Sequence, residues 1–240
     1  MIKQRLDKEL YKRKLTSSRS QADSLIQLGK VLVNGSVASK SGQMVSEKDK
    51  ISVSIKEQYV SRAGLKLASV SSRLGIDFNN KVVLDIGSST GGFTDYALRH
   101  GAQKVIAVDV GTDQLHPSLR GNDRIELHEK TDIRDFYTEQ SIDIIVGDVS
   151  FISLRDILPH VAKNLMNPKT VLVAMLKPQF EAGRSQTNKG VIKNSRIRRD
   201  ILADFEAWAQ QTFVIIDKRD SDVSGAKGNL ERFYKLMLAK

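Results

Sequence analysis

Apolar and polar positions along the chain obey two different rules in succession. Over the first 60 residues the apolar positions are sparse and short in range. Leu6 and Leu10 stand one helical turn apart, and Ala22, Leu25 and Ile26 mark the inner face of a second short helix that Ser18 or Ser20 can cap and Gly29 can end. The period then shortens to two in Lys30-Val31-Leu32-Val33, which runs into Asn34-Gly35, the dipeptide that best tolerates the paired positive φ angles of a type I′ hairpin. A further strand is expected over Lys50 to Ile55. About 55 residues bury too little surface for robust independent folding, so this module is expected to lean on its neighbour.

From Lys81 onward the pattern is that of an α/β sheet. The runs Val82 to Ile86, Lys104 to Val110, Ile142 to Val146, Val171 to Leu176 and Phe213 to Ile216 are apolar on both faces, as strands of a parallel sheet are. A short strand ahead of Lys130 and the run Arg232 to Leu238 bring the number to seven. Helical patterns cover Phe93 to His100, Leu154 to Leu165 with a bend or break near Pro159, and Ser195 to Gln211 with the single tryptophan, Trp208. Ahead of the sheet, Ala63, Leu67, Val70 and Leu74 form a helical stripe that leaves Lys66 at its side. The loop between Phe213 to Lys218 and the final run is too short for a helical crossover, so these two should pair antiparallel, placing one reversed strand at or near the sheet edge. The expected fold class is α/β with a mainly parallel seven-stranded sheet, plus a small amino-terminal α+β domain, divided as residues 1–58 and 59–240.

Charge changes the picture for the smaller part. The chain has 38 Lys plus Arg against 28 acids, a net charge of +10. Residues 1–60 hold 12 basic and 6 acidic residues (+6), while the other 180 hold 26 and 22 (+4), so the excess sits in the amino-terminal quarter. A polyanionic partner is implied, with Arg5, Lys12, Arg13, Lys14, Arg19 and Lys30 as candidate phosphate contacts; the alternative is a solvated basic helix pair. With no cysteine, thiolate metal sites, disulfides and thiolate nucleophiles are excluded. His100, His116, His128 and His160 show no ligand spacing, and no metal is expected. The longest strongly apolar run, Val171 to Leu176, falls far short of the roughly 18 residues that span a bilayer, and the charged start lacks a signal core; a cytoplasmic protein without membrane association is expected.

The first strand of the larger part leads into Asp85-Ile86-Gly87-Ser88-Ser89-Thr90-Gly91-Gly92-Phe93, where open α/β sheets bind ligands. Gly87, Gly91 and Gly92 permit close approach to the backbone. A carboxylate at Asp85 would repel a pyrophosphate but suits S-adenosylmethionine, which carries an ammonium and a sulfonium. Asp109 ends the next strand and can accept from both ribose hydroxyls of an adenosine cofactor, a feature that fits NAD equally well. Asp132 is a candidate acceptor for an adenine amino group. Strand-ending acids that cap turns are the alternative reading of these residues.

The segments Tyr59 to Leu67, Asp85 to Asp95, Gly147 to Ser153, Leu176 to Phe180 and Gly225 to Tyr234 together resemble the TlyA-type family over nearly the whole chain. Its members are known both as haemolysins and as ribosomal-RNA 2′-O-methyltransferases. The basic module resembles the RNA-binding fold named for ribosomal small-subunit protein four. The resemblance implies a Rossmann-like class I methyltransferase of FtsJ type using S-adenosylmethionine, with Ser88, Phe93, Val110 and Asp148 joining the cofactor set. It also implies a catalytic set of Lys66, Asp148, Lys177 and Glu231. Lys177 is the candidate base toward a ribose 2′-hydroxyl, Asp148 and Glu231 would orient the lysines, and Lys66 would stabilise the developing alkoxide or hold the ribose.

The implied partner is ribosomal RNA or a ribosomal subunit; the oligomeric state is open, with a monomer expected. Asp148-Val149-Ser150-Phe151 lacks the Pro-Pro signature of exocyclic-amine methyltransferases, which points away from base nitrogens. Glu181 to Gly190 is expected to form a loop able to close over RNA or cofactor, and Arg196, Arg198 and Arg199 either extend a phosphate-binding surface or form a solvated helix face. Two rival readings are an RNA-binding assembly factor that has lost chemistry and a membrane-lytic protein.

Overall fold

The computed structural model of the chain describes residues 3–16, 18–27, 29–54, 59–182, 190–192, 194–225 and 228–239, without the side chain of Ser20. The end of the strand expected to reach Ile55, the division placed at residue 58, and most of the loop expected over Glu181 to Gly190 lie outside these residues.

The amino-terminal part is built from β1 (Lys3–Arg5), α1 (Leu6–Lys12), α2 (Arg19–Gln27), β2 (Val31–Val33), β3 (Ser36–Val37), β4 (Met44–Ser46) and β5 (Ile51–Val53). Ser18 caps α2 by accepting from the Gln21 N–H at 3.1 Å. At the other end Gly29, with φ of 66°, lets its own N–H reach the Ile26 carbonyl and that of Lys30 reach Leu25, the paired bonds of a Schellman stop. Asn34 and Gly35 have φ of 52° and 83°, and β2 pairs antiparallel with both β3 and β5. A second antiparallel pair, β1 with β4, has three residues per strand, too short to leave a periodic trace. Leu6, Leu10, Ala22, Leu25 and Ile26 are buried in one core with Leu67, Val70, Phe93 and Phe233, so the module leans on the larger layer as its size requires.

That layer comprises α3 (Arg62–Ser71), β6 (Val82–Ile86), α4 (Gly92–Arg99), β7 (Lys104–Val108), β8 (Ile125–His128), β9 (Ile144–Gly147), α5 (Leu154–Asn164), β10 (Val171–Leu176), α6 (Pro178–Glu181), α7 (Ser195–Ala209), β11 (Phe213–Asp220) and β12 (Arg232–Leu238). Its seven strands lie in the order β11-β12-β10-β9-β6-β7-β8. The five from β10 to β8 are parallel, and β12 runs antiparallel to both neighbours, one place in from the edge. A second core on this sheet gathers Leu84, Ile106, Ile145, Leu172, Phe205 and Tyr234. Of the bend or break expected near Pro159, the break is absent: helix α5 runs through it. Its buried face of Leu154, Ile157, Leu158 and Val161 outweighs the roughly 3 kcal/mol cost of an interior proline.

Register decides what gathers at the sheet's ligand-binding edge. Ile86 pairs with Gly147 and with Val108, Ala174 with Gly147, and Leu176 with Arg232. The residues that follow the parallel strands, Gly87, Asp109, Asp148 and Lys177, therefore emerge together. Because β12 is reversed, the residue that precedes it, Glu231, emerges at the same edge.

Candidate active site

Two adjoining cavities open at this edge. The larger, about 390 Å³, has apolar walls from Ile86, Val108, Ile133 and Val149, with Asp109 and Asp132 among its polar positions. The smaller, about 130 Å³, is lined by Ser61, Asp85, Ser88, Phe93 and Lys177 and shares Gly87, Ser89, Asp148 and Ser150 with the first.

Asp85 is buried, and its Oδ2 accepts from Thr94 Oγ1 at 2.6 Å. Its Oδ1, and the buried Oγ atoms of Ser61 and Ser88, have no hydrogen-bond partner among the described residues. Each such orphan costs about 1–3 kcal/mol, so three of them in residues lining one cavity mark a place built for a ligand that brings donors. Burial, with the Asp148 and Asp109 carboxylates nearby, pushes the Asp85 carboxyl up to about 7.

Two opposite pH effects follow. A ligand that sets an ammonium against Asp85 needs the carboxylate, so its affinity should weaken by up to about tenfold per pH unit below 7. Without ligand, neutral Asp85 favours the fold; this contribution is present below about pH 4 and is lost as pH rises through 7. Asp85→Asn is therefore expected to melt above the wild type at pH 8, and calorimetry between pH 6 and 8 should show weak ligand binding without the pH trend.

The four residues of the expected catalytic set are present as two ion pairs. Lys177 Nζ lies 2.6 Å from Asp148 Oδ1 and donates to Ser150 Oγ at 2.6 Å, with the Phe180 ring centred 6.0 Å away. Lys66 pairs with Glu231, their side chains 10% and 3% exposed. Neither Lys66 nor Glu231 is among the residues lining these two cavities, in contrast to Lys177 and Asp148. The pairing of Lys66 with Glu231 matches the expectation that Glu231 orients a lysine.

The glycines divide by use. Gly87, with φ of 75°, runs against the Asp148 backbone, where a Cβ would lie 3.1 Å from the carbonyl oxygen. Gly91, with φ of 87°, precedes α4. Gly92 serves packing: a Cβ there would meet Ala63 Cβ and Gly64 N at 2.8 Å, so its absence lets α3, which carries Lys66, lie directly on α4. Phe93 likewise belongs to the core, its ring 6.0 Å from that of Phe233, while bordering the smaller cavity.

Asp109 accepts from Ser89 N at 2.8 Å and Gly111 N at 2.6 Å, linking the loops after β6 and β7 at the cavity rim; each oxygen keeps a lone pair for a ligand hydroxyl. Val110 is exposed at the mouth. Asp132 caps a 3-10 turn at Ile133–Asp135 and pairs with Arg134 at 2.6 Å, which holds its carboxyl below the usual range. Asp132 thus caps this turn while also lining the larger cavity. Ser61, Thr94 and Ser150 were not anticipated. Ser61 is far from the glycine loop in sequence, and a lone hydroxyl carries no periodic signal.

The basic candidates of the amino-terminal part fall into three groups. Arg13 is structural: it binds Glu9 at 2.6 Å and donates to the backbone carbonyls of Asp49, Ser46 and Glu47. Arg5 and Arg19 converge on the buried carboxylate of Asp7, at 3.0 and 2.7 Å, and Lys12 pairs with exposed Glu47. Lys14 and Lys30 are exposed and carry no ion pair among the described residues. Arg13→Ala should therefore cost about 1–3 kcal/mol of stability, whereas Lys14→Ala and Lys30→Ala should leave the melting temperature unchanged and each lower the salt slope of binding to a polyanion by about 1. Thermal melts and binding titrations at several salt concentrations separate the two.

In the larger part, Arg198 is tied to Asp220 at 2.6 Å, while Arg196 and Arg199 are exposed. Glu181 is part of the frame, accepting from Ser153 Oγ at 2.6 Å and from Leu154 N at 2.7 Å.

Comparison with known proteins agrees with this architecture. The FtsJ-like methyltransferase family profile matches residues 59–237, and the S4 domain profile matches residues 4–51. Hemolysin A of Brachyspira hyodysenteriae is 40% identical over 95% of this chain and 97% of its own length. The 23S rRNA (cytidine-2′-O)-methyltransferase TlyA of Campylobacter jejuni is 43% identical over 75% of this chain and 71% of its own. A solved structure of a protein assigned as a hemolysin, from Streptococcus thermophilus, superposes with a TM-score of 0.74 at 37% identity, covering 100% of this chain and 90% of that one. Among the described residues no helix is long and apolar enough to cross a membrane. Because the FtsJ-like profile spans residues 59–237, the whole sheet and both ion pairs with it, the chain belongs to the FtsJ-like methyltransferase family.

Proposed function

We propose that this protein transfers a methyl group from S-adenosylmethionine to a ribose 2′-hydroxyl of ribosomal RNA, with residues 1–58 gripping the RNA and residues 59–240 carrying out the transfer. The observation that carries this reading is the Lys177–Asp148 pair, set in the wall of a cavity whose buried oxygens lack donors. The names of the Campylobacter relative and of the 16S/23S rRNA (cytidine-2′-O)-methyltransferase TlyA of Mycobacterium tuberculosis, 36% identical over 97% of this chain, support the same chemistry.

Asp85, Ser61 and Ser88 fit the amino-acid end of the donor, and Asp109 with the apolar walls of the larger cavity fits its adenosine. When bound, the donor supplies an electrophilic methyl on a sulfonium. In its neutral form the Lys177 amine takes the proton of the attacking hydroxyl, while Asp148 and Ser150 fix the direction of its lone pair. Glu231 orients Lys66, and the register of Arg232 with Leu176 brings the start of β12 beside Lys177. Phe151 is 91% exposed, holds φ of 67° and packs 5.2 Å from the Phe180 ring. A strained, solvent-facing aromatic at the cavity mouth suits stacking on a nucleobase of the target strand.

The test is transfer of labelled methyl from S-adenosylmethionine to ribosomal subunits from cells lacking this gene, with the product nucleotide mapped. Label in a 2′-O-methyl ribose is the expected result. Donor binding with no transfer to either subunit or to whole ribosomes would overturn the proposal in favour of an assembly factor.

A further inference from the structure

Helix α2, in the amino-terminal module, touches the supports of both partners of the buried Lys66–Glu231 pair. On the lysine side, the buried Gln21 side chain donates to the Tyr59 carbonyl at 3.1 Å. Tyr59 is the surface on which the start of α3 rests: a Cβ at Gly64 would lie 2.5 Å from Tyr59 Cβ, and Lys66 is two residues further on. On the glutamate side, Ser224 Oγ donates to Gln27 Oε1 at 3.0 Å. Ser224 leads into Gly225, whose backbone lies against the Glu231 carboxylate; a Cβ there would be 2.8 Å from Oε1.

The two supports are also joined to each other. Arg62, the first residue of α3, donates to the Ser224 carbonyl at 2.6 Å, Asp222 N donates to Ser69 Oγ at 3.3 Å, and Arg73 pairs with Asp222. The helix that carries Lys66 and the loop that backs Glu231 thus form one unit, and that unit meets α2 at both Gln21 and Gln27.

We infer that Gln21 and Gln27 are positioning residues for the Lys66–Glu231 pair, so that the amino-terminal module contributes to the chemical step as well as to RNA affinity. This rests on the methyltransferase reading above. Small displacements are enough to matter, because a misplacement on the order of 1 Å at a reacting centre costs about 10²-fold in rate. Gln27 is exposed, so its truncation leaves the core intact, and Ser224→Ala removes the same hydrogen bond from the other side.

The experiment compares the wild-type full chain with Gln27→Ala, Ser224→Ala, their double variant and Gln21→Ala. Methyl transfer to ribosomal subunits is measured under saturating donor, with donor affinity by calorimetry and amide exchange at Gly225, whose N–H is bonded to the Asn229 carbonyl at 2.8 Å. Expected are a fall in kcat of roughly tenfold with KM for the subunit and donor affinity little changed, faster exchange at Gly225, and a double variant no worse than either single. An unchanged kcat, or a raised KM with kcat intact, would overturn the inference and leave α2 with RNA binding alone. If the wild type transfers no methyl, the proposed function fails instead. The exchange data then decide the positioning claim separately: faster exchange at Gly225 in Gln27→Ala and Ser224→Ala supports it, and unchanged exchange overturns it.

Discussion

Lys177→Ala is expected to lower kcat for methyl transfer by about 10² to 10⁴, with donor affinity held within a few fold. Lys177 stands in the cavity wall with its amine fixed between Asp148 Oδ1 and Ser150 Oγ, each at 2.6 Å, so it is placed to receive a proton from a group entering the cavity. Arginine retains a positive charge at this place but cannot act as a base at neutral pH. Lys177→Arg should therefore be nearly as inactive as the alanine variant, while a purely electrostatic role would leave it substantially active. Single-turnover rates at saturating donor measure the difference. A Lys177→Arg enzyme within tenfold of the wild type would rule out the base assignment.

The second large effect concerns stability. Glu231→Ala leaves the Lys66 ammonium buried without its partner, and breaking a buried pair from one side costs about 3–5 kcal/mol. At roughly 2–4 °C per kcal/mol for a chain of this size, the melting temperature should drop by about 10 °C. Replacing both partners by apolar residues of similar volume, Lys66→Met with Glu231→Leu, removes both uncompensated charges. Such replacements are often neutral or better, so this double variant should melt near the wild type. It should nevertheless remain poorly active, because the Lys66 and Glu231 charges are gone. Restored activity along with restored stability would mean that the pair is only a packing device.

Much of the fold was legible because its signals are local. Ser18 and Gly29 bound α2 by hydrogen bonds within one turn, and the Asn34-Gly35 turn needs two adjacent positive φ angles, so both features are written in neighbouring residues. The reversed last strand could be inferred from the length of the loop before it. Pro159 shows where a local signal fails: the buried face of α5 carries the helix past a residue that alone would end it. Arg13 shows the same for charge. As one of six basic residues it looked like a phosphate contact, yet its guanidinium is taken up by Glu9 and by three carbonyls more than thirty residues away in sequence.

The order of apolar runs and turn residues by itself determined the class of sheet, the edge at which a ligand binds, and the acids Asp85 and Asp109 there; it placed Asp148 and Lys177 just after strands, while their catalytic roles came from the family resemblance. What only the tertiary structure decided is how the candidates are paired and which of them a ligand can reach. Glu231 reaches this edge because β12 runs backward, so the residue before it emerges where the residues after the parallel strands do. Lys66 meets it on a helix that glycines at 64 and 92 let settle on α4. Periodicity reports what lies within a turn or a pleat; contacts between α3, the loop at Ser224 and α2 depend on strand register and backbone approach, which no single segment encodes.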